Sequence, residues 1–249
     1  MKVLSLEFFK LRRKWIFVMI TLFLGAEILW TFISVGMSIA RHPDSTGWEA
    51  LLVTLASMNG LFFPIISAIV VSRICDMEHK GSTWKLLIPA SVKLKDIYAA
   101  KYVCACILML YAVVLQVIAI TIFGITNSFS SPVPLSWLLQ FIVGTMFTNM
   151  TILALQQWVS LSVKNQAFAL CLGMLGGFIG MTADLFPTVI SRIFIWSYYT
   201  KLCPVTYHYI NNSAKYITQH LRLGTLTVVF LTGIIFYIAG NLQVSRQEM

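Results

Sequence analysis

Six long apolar stretches divide this chain of 249 residues. A transmembrane helix needs about 20 mostly apolar residues, because each adds about 1.5 Å towards crossing a hydrocarbon core about 30 Å thick. The six stretches approach or exceed this length: Trp15–Ile39, Leu51–Ser72, Tyr102–Ile125, Trp137–Ser160, Gln166–Ala183 and Leu223–Gly240. The sequence therefore predicts an all-α polytopic membrane protein with six transmembrane helices, forming a single domain over residues 1–249.

The composition supports the membrane assignment. Apolar residues make up 58% of the chain and charged residues only 11%, whereas an average soluble domain is about one quarter charged. So few charges do not cover the surface of a soluble protein of this size. A cytosolic enzyme, a disordered chain and a disulfide-stabilised secreted module are therefore excluded.

The cationic residues are distributed unevenly between the two sides of the predicted bundle. With the N-terminus in the cytoplasm, thirteen of the 18 Lys and Arg residues fall on the cytoplasmic side. This bias follows the positive-inside rule, and the even number of helices places both termini in the cytoplasm. The net charge of +9 is thus a topology signal, and we expect no nucleic-acid partner. The five remaining cations are expected outside: Arg41, Arg192, Lys201, Lys215 and Arg222.

Motifs for catalysis are absent from the sequence. It contains no G-x-x-x-x-G-K-[ST] phosphate-binding loop, no H-E-x-x-H zinc motif and no G-x-S-x-G nucleophile elbow. We therefore expect a protein that is not an enzyme, and expect the chain itself to bind no metal or cofactor.

Polar residues inside the predicted spans are the first candidates for function. Glu27 lies about midway along the first span, where a charge costs at least about 2.5–3.5 kcal/mol. It either lines a translocation path or contacts another subunit, or it is a protonated or satisfied packing residue. Asn59 and Asn149 are further candidates for the path, although such residues also join helices by hydrogen bonds.

The fifth predicted span contains closely spaced glycines. Two overlapping G-x-x-x-G motifs start at Gly173 and Gly176 and allow another helix to approach closely. Two partners remain possible for this face, namely a helix of the same chain or a second copy of the transmembrane domain.

The loop between the second and third spans, residues 73–101, is too long for a simple turn. Its charged residues and its Gly81-Ser82-Thr83 break predict short helices on the cytoplasmic side, which suit docking onto a soluble partner. The loop carries one distinctive pattern, followed by Tyr98 and Lys101: Glu78-x-x-Gly81-x-Thr83-Trp84-x-Leu86-Leu87-x-Pro89.

This pattern resembles the cytoplasmic loop of type-2 ABC (ABC-2) exporter permeases. The basic N-terminal segment with Glu7, Lys10 and Arg12 is similar to that family too, as are six helices in about 250 residues. Trp84 and the absence of a large extracellular domain resemble the permease subunits of lantibiotic and bacitracin immunity transporters.

The resemblance implies a division of labour. A cytoplasmic ABC ATPase dimer would bind ATP and Mg²⁺, and two permease chains, identical or homologous, would form the path through the bilayer. The loop would be the coupling helix seated on the ATPase. Its residues for this role are Glu78, Gly81, Thr83, Trp84, Leu87 and Pro89.

The region between the last two spans is rich in aromatic residues. The apolar patch Val189–Trp196 is too short to cross a membrane, and with Pro187 and Pro204 it suits the short re-entrant or extracellular helices of the family. An aromatic belt at headgroup level explains most of these residues. The alternative is contact with an amphipathic substrate through Trp196, Tyr199 and Tyr207.

Together with the missing phosphate-binding loop, the resemblance thus implies a permease subunit in a bacterial plasma membrane. The expected substrate is an antimicrobial peptide such as a lantibiotic, whose expulsion protects the cell. Two alternatives remain at this stage: an ABC-2 permease for another amphipathic substrate, and an immunity protein that sequesters peptide without pumping it.

Overall fold

The computed structural model describes residues 2–12, 15–41, 47–81, 94–129, 132–163, 165–210 and 213–246. In these ranges the chain forms nine α-helices, and a two-stranded β-hairpin precedes the last of them. The helices are α1 (Lys2–Arg12), α2 (Ile16–Arg41), α3 (Trp48–Gly81), α4 (Leu94–Thr126), α5 (Leu135–Ser162), α6 (Gln166–Met181), α7 (Thr188–Ser191), α8 (Tyr198–Lys201) and α9 (Leu223–Arg246).

Five of these helices are long and apolar enough to cross a membrane: α2, α3 over Trp48–Asp76, α4, α5 and α9. They match five of the six predicted spans, so the all-α polytopic membrane fold is confirmed. The remaining predicted span is α6, which has 16 residues and is therefore about 24 Å long. This length falls short of the hydrocarbon thickness, so the prediction of six full-length helices is not reproduced.

The helices alternate in direction and give the bundle two distinguishable ends. One end, which we call the basic end, contains α1 with Lys10, the last turns of α3 with Arg73, the start of α4 with Lys95 and the end of α9 with Arg246. The opposite end contains the β-hairpin, and we call it the hairpin end. The first and last described residues both lie at the basic end, and the cytoplasmic location of the two termini stays a prediction.

Helix α1 lies beside the base of the bundle and is not part of a span. Its Glu7 and Leu11 are buried, whereas Leu6 and Phe9 are exposed, as suits a helix at the membrane interface. The chain then turns into α2 at Trp15, whose φ of 54° lies in the left-handed region. This turn separates the interfacial helix from the first span.

Three glycines of α6, Gly173, Gly177 and Gly180, pack against α3 of the same chain. A Cβ atom on Gly177 would lie 2.6 Å from the carbonyl oxygen of Leu61, and one on Gly173 would lie 2.9 Å from that of Pro64. Gly180 similarly lies directly against the backbone of Gly60. Of the two partners considered for this face, the structure therefore shows the intrachain one.

The segment after α6 returns into the bundle. It contains the 3-10 turns Ala183–Leu185 and Ile195–Ser197 together with α7 and α8. The Trp196 indole lies over Gly176 of α6, and the ring of Tyr199 lies 5.8 Å from the ring of Phe63 in α3. We call residues 183–204 the re-entrant segment.

A β-hairpin follows the re-entrant segment and was not predicted. Strands β1 (Val205–Ile210) and β2 (Ser213–Thr218) pair antiparallel, with Val205 opposite Thr218 and Tyr207 opposite Tyr216. The hairpin is tied to the bundle by Gln140 of α5, whose Nε2 donates to the Gln219 carbonyl oxygen at 3.1 Å.

Candidate functional site

Five buried polar side chains meet in the middle of the bundle, and we call them the polar cluster. They are Glu27 of α2, Asn59 of α3, Gln116 of α4, Asn149 of α5 and Tyr199 of the re-entrant segment. Gln116 Nε2 donates to Asn59 Oδ1 at 2.8 Å, and the Tyr199 hydroxyl donates to Asn149 Oδ1 at 2.5 Å. The Glu27 carboxyl group faces both Gln116 and Tyr199 and thereby connects the two pairs.

The polar cluster has more hydrogen-bonding groups than partners for them. Both carboxyl oxygens of Glu27 lack a hydrogen bond within the described chain, as do Asn59 Nδ2, Gln116 Oε1 and Asn149 Nδ2. Among the described residues no lysine, arginine or histidine pairs with Glu27. Buried polar groups in proteins are normally hydrogen-bonded. The cluster can therefore bind water or the polar groups of a substrate, through both donors and acceptors.

Four of the five spanning helices, α2, α3, α4 and α5, each contribute one side chain to the cluster. Glu27 lies midway along α2 and is flanked on its buried face by Leu24 and Thr31, so that the apolar stripe of the helix carries the carboxyl group into the core. Tyr199 arrives by a different route, because the re-entrant segment inserts it from the hairpin end. Ser197 fixes this segment by donating its hydroxyl to the Phe194 carbonyl oxygen at 2.8 Å.

A second polar contact lies at the basic end. The Lys101 ammonium of α4 contacts Glu7 Oε2 of α1 at 2.8 Å and donates to the Ile74 carbonyl oxygen of α3 at 3.4 Å. Lys101 is fully buried and Glu7 nearly so, whereas Lys10, which contacts Glu7 Oε1 at 2.8 Å, is partly exposed. We call this contact the basic-end tie. It joins α1 to both helices that flank residues 82–93.

Comparison with known protein families identifies the family to which this chain belongs. The model of the ABC-2 family transporter proteins matches residues 3–180, which is more than two thirds of the chain. The chain belongs to the ABC-2 transporter family. No curated protein matches it.

An ABC-2 protein is the membrane subunit of an ABC transporter, and the family implies association with an ABC ATPase. The matched range includes the basic-end tie and four members of the polar cluster, Glu27, Asn59, Gln116 and Asn149. It ends before the re-entrant segment that supplies Tyr199.

The predicted coupling residues lie at the basic end or outside the described ranges. Glu78 and Gly81 belong to the last turn of α3, which agrees with the predicted helical continuation beyond the membrane. Thr83, Trp84, Leu87 and Pro89 lie outside the described residues, and so does the predicted coupling helix. Their role in docking therefore stays a prediction.

The predicted path residues come together, whereas the predicted substrate contacts separate. Glu27, Asn59 and Asn149 all belong to the polar cluster. Tyr199 joins them, but Trp196 packs on α6 and Tyr207 lies on the hairpin opposite Tyr216.

Two functional candidates were missed by sequence reasoning. Gln116 was not among the candidates for the path, but it joins α4 to α3 through Asn59 and also faces Glu27. Lys101 was counted as a cation of the cytoplasmic loop, whereas the structure buries it against Glu7. Gln116 could have been found as a polar residue inside the third apolar stretch. For Lys101 no local signal exists, because its partner Glu7 lies 94 positions away in the sequence.

Removing the Tyr199 hydroxyl is expected to destabilise the protein. In Tyr199→Phe, Asn149 loses its one hydrogen bond in the cluster, and a buried polar group left without a partner costs about 1–3 kcal/mol. The free energy of unfolding in mixed micelles, titrated with denaturing detergent, measures the loss. Adding Asn149→Leu to Tyr199→Phe should recover most of it, since both polar groups are then gone.

The matched control is Tyr111→Phe. The Tyr111 hydroxyl is 3.0 Å from that of Thr21 at an exposed position, so its loss should change stability by less than Tyr199→Phe does. Equal effects of the two substitutions would contradict the assignment of Tyr199 to a buried hydrogen-bonded cluster.

Proposed function

We propose that this ABC-2 protein is the permease subunit of a bacterial exporter that removes an amphipathic antimicrobial peptide, such as a lantibiotic, from the plasma membrane. A separate ATPase dimer binds ATP and Mg²⁺ and supplies the energy. A second permease chain, the same or homologous, completes the path. Expulsion of the peptide protects the cell.

The observation that carries this proposal is the polar cluster. An amphipathic peptide needs apolar contacts along most of its length and hydrogen-bond partners for its backbone and polar side chains. The bundle offers apolar helix surfaces throughout, and in its middle it offers both free donors and free acceptors. This combination suits an amphipathic substrate better than a simple ion or a fully apolar lipid tail.

The basic-end tie supports coupling to an ATPase. Helix α3 ends at Gly81 and α4 begins at Leu94, so residues 82–93 connect two helices that are held together near their bases by Lys101. Force applied to this connection would move α3, α4 and α1 as one body, which is how rigid elements transmit a switch between two packings. Asn59 and Gln116 lie on these same two helices. Movement at the basic end would therefore reach the polar cluster.

The test uses the tagged protein purified from membranes of its own host. We expect an ATPase to co-purify and to hydrolyse Mg-ATP in vesicles. We also expect a fluorescently labelled lantibiotic to leave the vesicle membrane only when ATP is hydrolysed. Scrambling residues 81–89 should abolish both the co-purification and the ATP-dependent release.

The control scrambles residues 128–133, the connection between α4 and α5 at the hairpin end, and should leave both activities in place. If the ATPase still binds after residues 81–89 are scrambled, these residues are not the docking site. A complex that cannot hydrolyse ATP provides the last comparison. If it binds the peptide as strongly as the active complex does, and the active complex releases none, the protein sequesters the peptide and does not export it.

A further inference from the structure

A pocket of about 600 Å³ opens at the hairpin end, away from the polar cluster. Its walls come from the re-entrant segment, the start of β1 and the first turns of α9. Among the described residues three cations line it, Arg192, Lys201 and Arg222, but only one anion, Asp184. We call it the cationic pocket.

Lys201 is the cation of this pocket whose surroundings are most informative. Its ammonium nitrogen is buried and has no hydrogen-bond partner in the described chain, and its nearest aromatic contact is the Tyr198 ring, 5.2 Å away. Tyr198 in turn donates its hydroxyl to the Arg192 carbonyl oxygen at 2.7 Å. The ammonium group is therefore fixed in place without an acceptor, which is an unusual situation for a buried cation.

Asp184 does not neutralise the three cations. One of its carboxyl oxygens accepts a hydrogen bond from Thr200 at 3.1 Å, and no ion pair joins it to a cation within the described chain. Burial and the nearby Arg192 lower the pKa of Lys201 to about 8, although Asp184 opposes this shift. The pocket thus carries an excess of positive charge that a bound anion would relieve.

The surroundings place the pocket at the boundary between headgroups and acyl chains. Leu185 and Ile193 on the re-entrant segment are 84% and 74% exposed, and Leu223 at the start of α9 is 72% exposed. In a bilayer such side chains lie in the acyl region, while neighbouring Lys and Arg side chains reach the headgroups. Arg222 directly precedes Leu223 and so lies at this boundary.

We propose that the cationic pocket binds the phosphate of an anionic lipid headgroup, from the leaflet at the hairpin end, through Lys201, Arg192 and Arg222. Charge-assisted hydrogen bonds to phosphate oxygens would supply the acceptor that Lys201 lacks. The exposed apolar residues around the pocket would hold the acyl chains. This inference is independent of the transported substrate and of the ATPase.

The test measures binding of phosphatidylglycerol to the whole protein by native mass spectrometry, from mixed micelles that also contain phosphatidylcholine. We expect preference for phosphatidylglycerol, weakened about tenfold by Lys201→Met or Arg222→Gln. Lys201→Arg should retain the preference, because it keeps the charge. The matched control is Arg41→Gln, which removes an exposed cation at the same end but outside the pocket.

Binding should also depend on pH. Raising the pH through about 8 deprotonates Lys201 in the free protein, so affinity should fall there, and Lys201→Arg should flatten the dependence. In the part of the chain that the structure describes, the titratable and charged groups that share the pocket with Lys201 are Asp184, Arg192, Tyr198 and Arg222. A bound phosphate stabilises the charged lysine, so the complex should lose its proton at a higher pH than the free protein does.

Competition with inorganic phosphate tells whether the pocket recognises the phosphate group alone or the whole lipid. If phosphate competes with phosphatidylglycerol, the pocket recognises the phosphate group itself. If it does not compete while the variants still weaken binding, the lipid is recognised through headgroup and chains together. The proposal is overturned if Lys201→Met binds like Arg41→Gln, or if phosphatidylcholine binds as tightly as phosphatidylglycerol.

Discussion

Replacing Lys101 with methionine is expected to destabilise the protein by about 3–5 kcal/mol, because it leaves the buried carboxylate of Glu7 without its closest buried cation. Lys101 is fully buried and contacts Glu7 Oε2 at 2.8 Å. It also donates to the Ile74 carbonyl oxygen, so a third element loses a contact in the same substitution. The free energy of unfolding in mixed micelles measures the effect.

Lys10→Met is the matched control for Lys101→Met. Lys10 contacts the other oxygen of the same carboxylate at the same distance of 2.8 Å, but its side chain is 29% exposed. An ion pair in contact with water contributes at most about 1 kcal/mol. Losses of similar size for Lys10→Met and Lys101→Met would refute the view that the buried contact stabilises the base of the bundle.

A double substitution separates stability from coupling. In Glu7→Leu with Lys101→Met, an apolar pair replaces the buried ion pair, and such replacements are often neutral or stabilising. We expect stability close to that of the original protein, but slower ATP-driven release of peptide, since the polar connection from α1 to α3 and α4 is gone. Full transport by this variant would show that the basic-end tie only stabilises the fold.

The basic-end tie also shows what sequence reasoning does and does not reach. The positive-inside rule groups Lys101 with the other cations of the predicted cytoplasmic side, because charge counts need only the order of the segments. It did not reveal that Lys101 is buried, since its partner Glu7 lies 94 positions earlier. A contact between residues so far apart in the sequence depends on how α1 packs against the bundle.

The polar cluster was more accessible to prediction. A polar residue inside a long apolar stretch is conspicuous, and Glu27, Asn59 and Asn149 were selected on that basis. Their convergence on one place required the packing of four helices. The contribution of Tyr199 required the re-entrant segment as well, and the aromatic belt offered an equally simple explanation of that tyrosine from sequence.

The hairpin was missed although the sequence carries a signal for it. Residues 205–210 and 213–218 are rich in β-branched and aromatic residues, and Asn211-Asn212 lies between them, as is typical of a two-residue hairpin. In a chain dominated by apolar helices, the aromatic residues of these strands were assigned to the membrane interface. The end of α6 was close to its prediction, because the fifth predicted span ends at Ala183, two residues beyond Met181.

Adding a side chain to the glycine face of α6 is the second substitution expected to have a large effect. A Cβ atom on Gly177 would lie 2.6 Å from the Leu61 carbonyl oxygen, which is backbone and has no other rotamer to adopt. Gly177→Val should therefore force α6 away from α3 and destabilise the protein by about 3 kcal/mol or more. Thermal unfolding in detergent micelles measures this effect.

Gly25 in α2 provides the matched control, because a Cβ atom there would meet no atom within 4 Å. Gly25→Ala should stabilise by about 0.5–1 kcal/mol, since alanine loses less backbone entropy in a helix than glycine does. The two substitutions thus have opposite expected signs. Tolerance of Gly177→Val would mean that the intrachain contact between α6 and α3 is not as close as described.

The neighbouring Gly176 distinguishes backbone contacts from side-chain contacts on the same helix. Its added Cβ would meet the Trp196 indole, which is a side chain and can be shortened. The loss caused by Gly176→Ala should therefore shrink when Trp196→Leu is also present, whereas Ile65→Ala should not rescue Gly177→Val. Because Trp196 precedes Tyr199 by one helical turn, Gly176→Ala alone should also disturb the hydrogen bond to Asn149. The stability losses caused by Gly176→Ala and by Tyr199→Phe should then not add in the double variant, as expected of residues that share a contact.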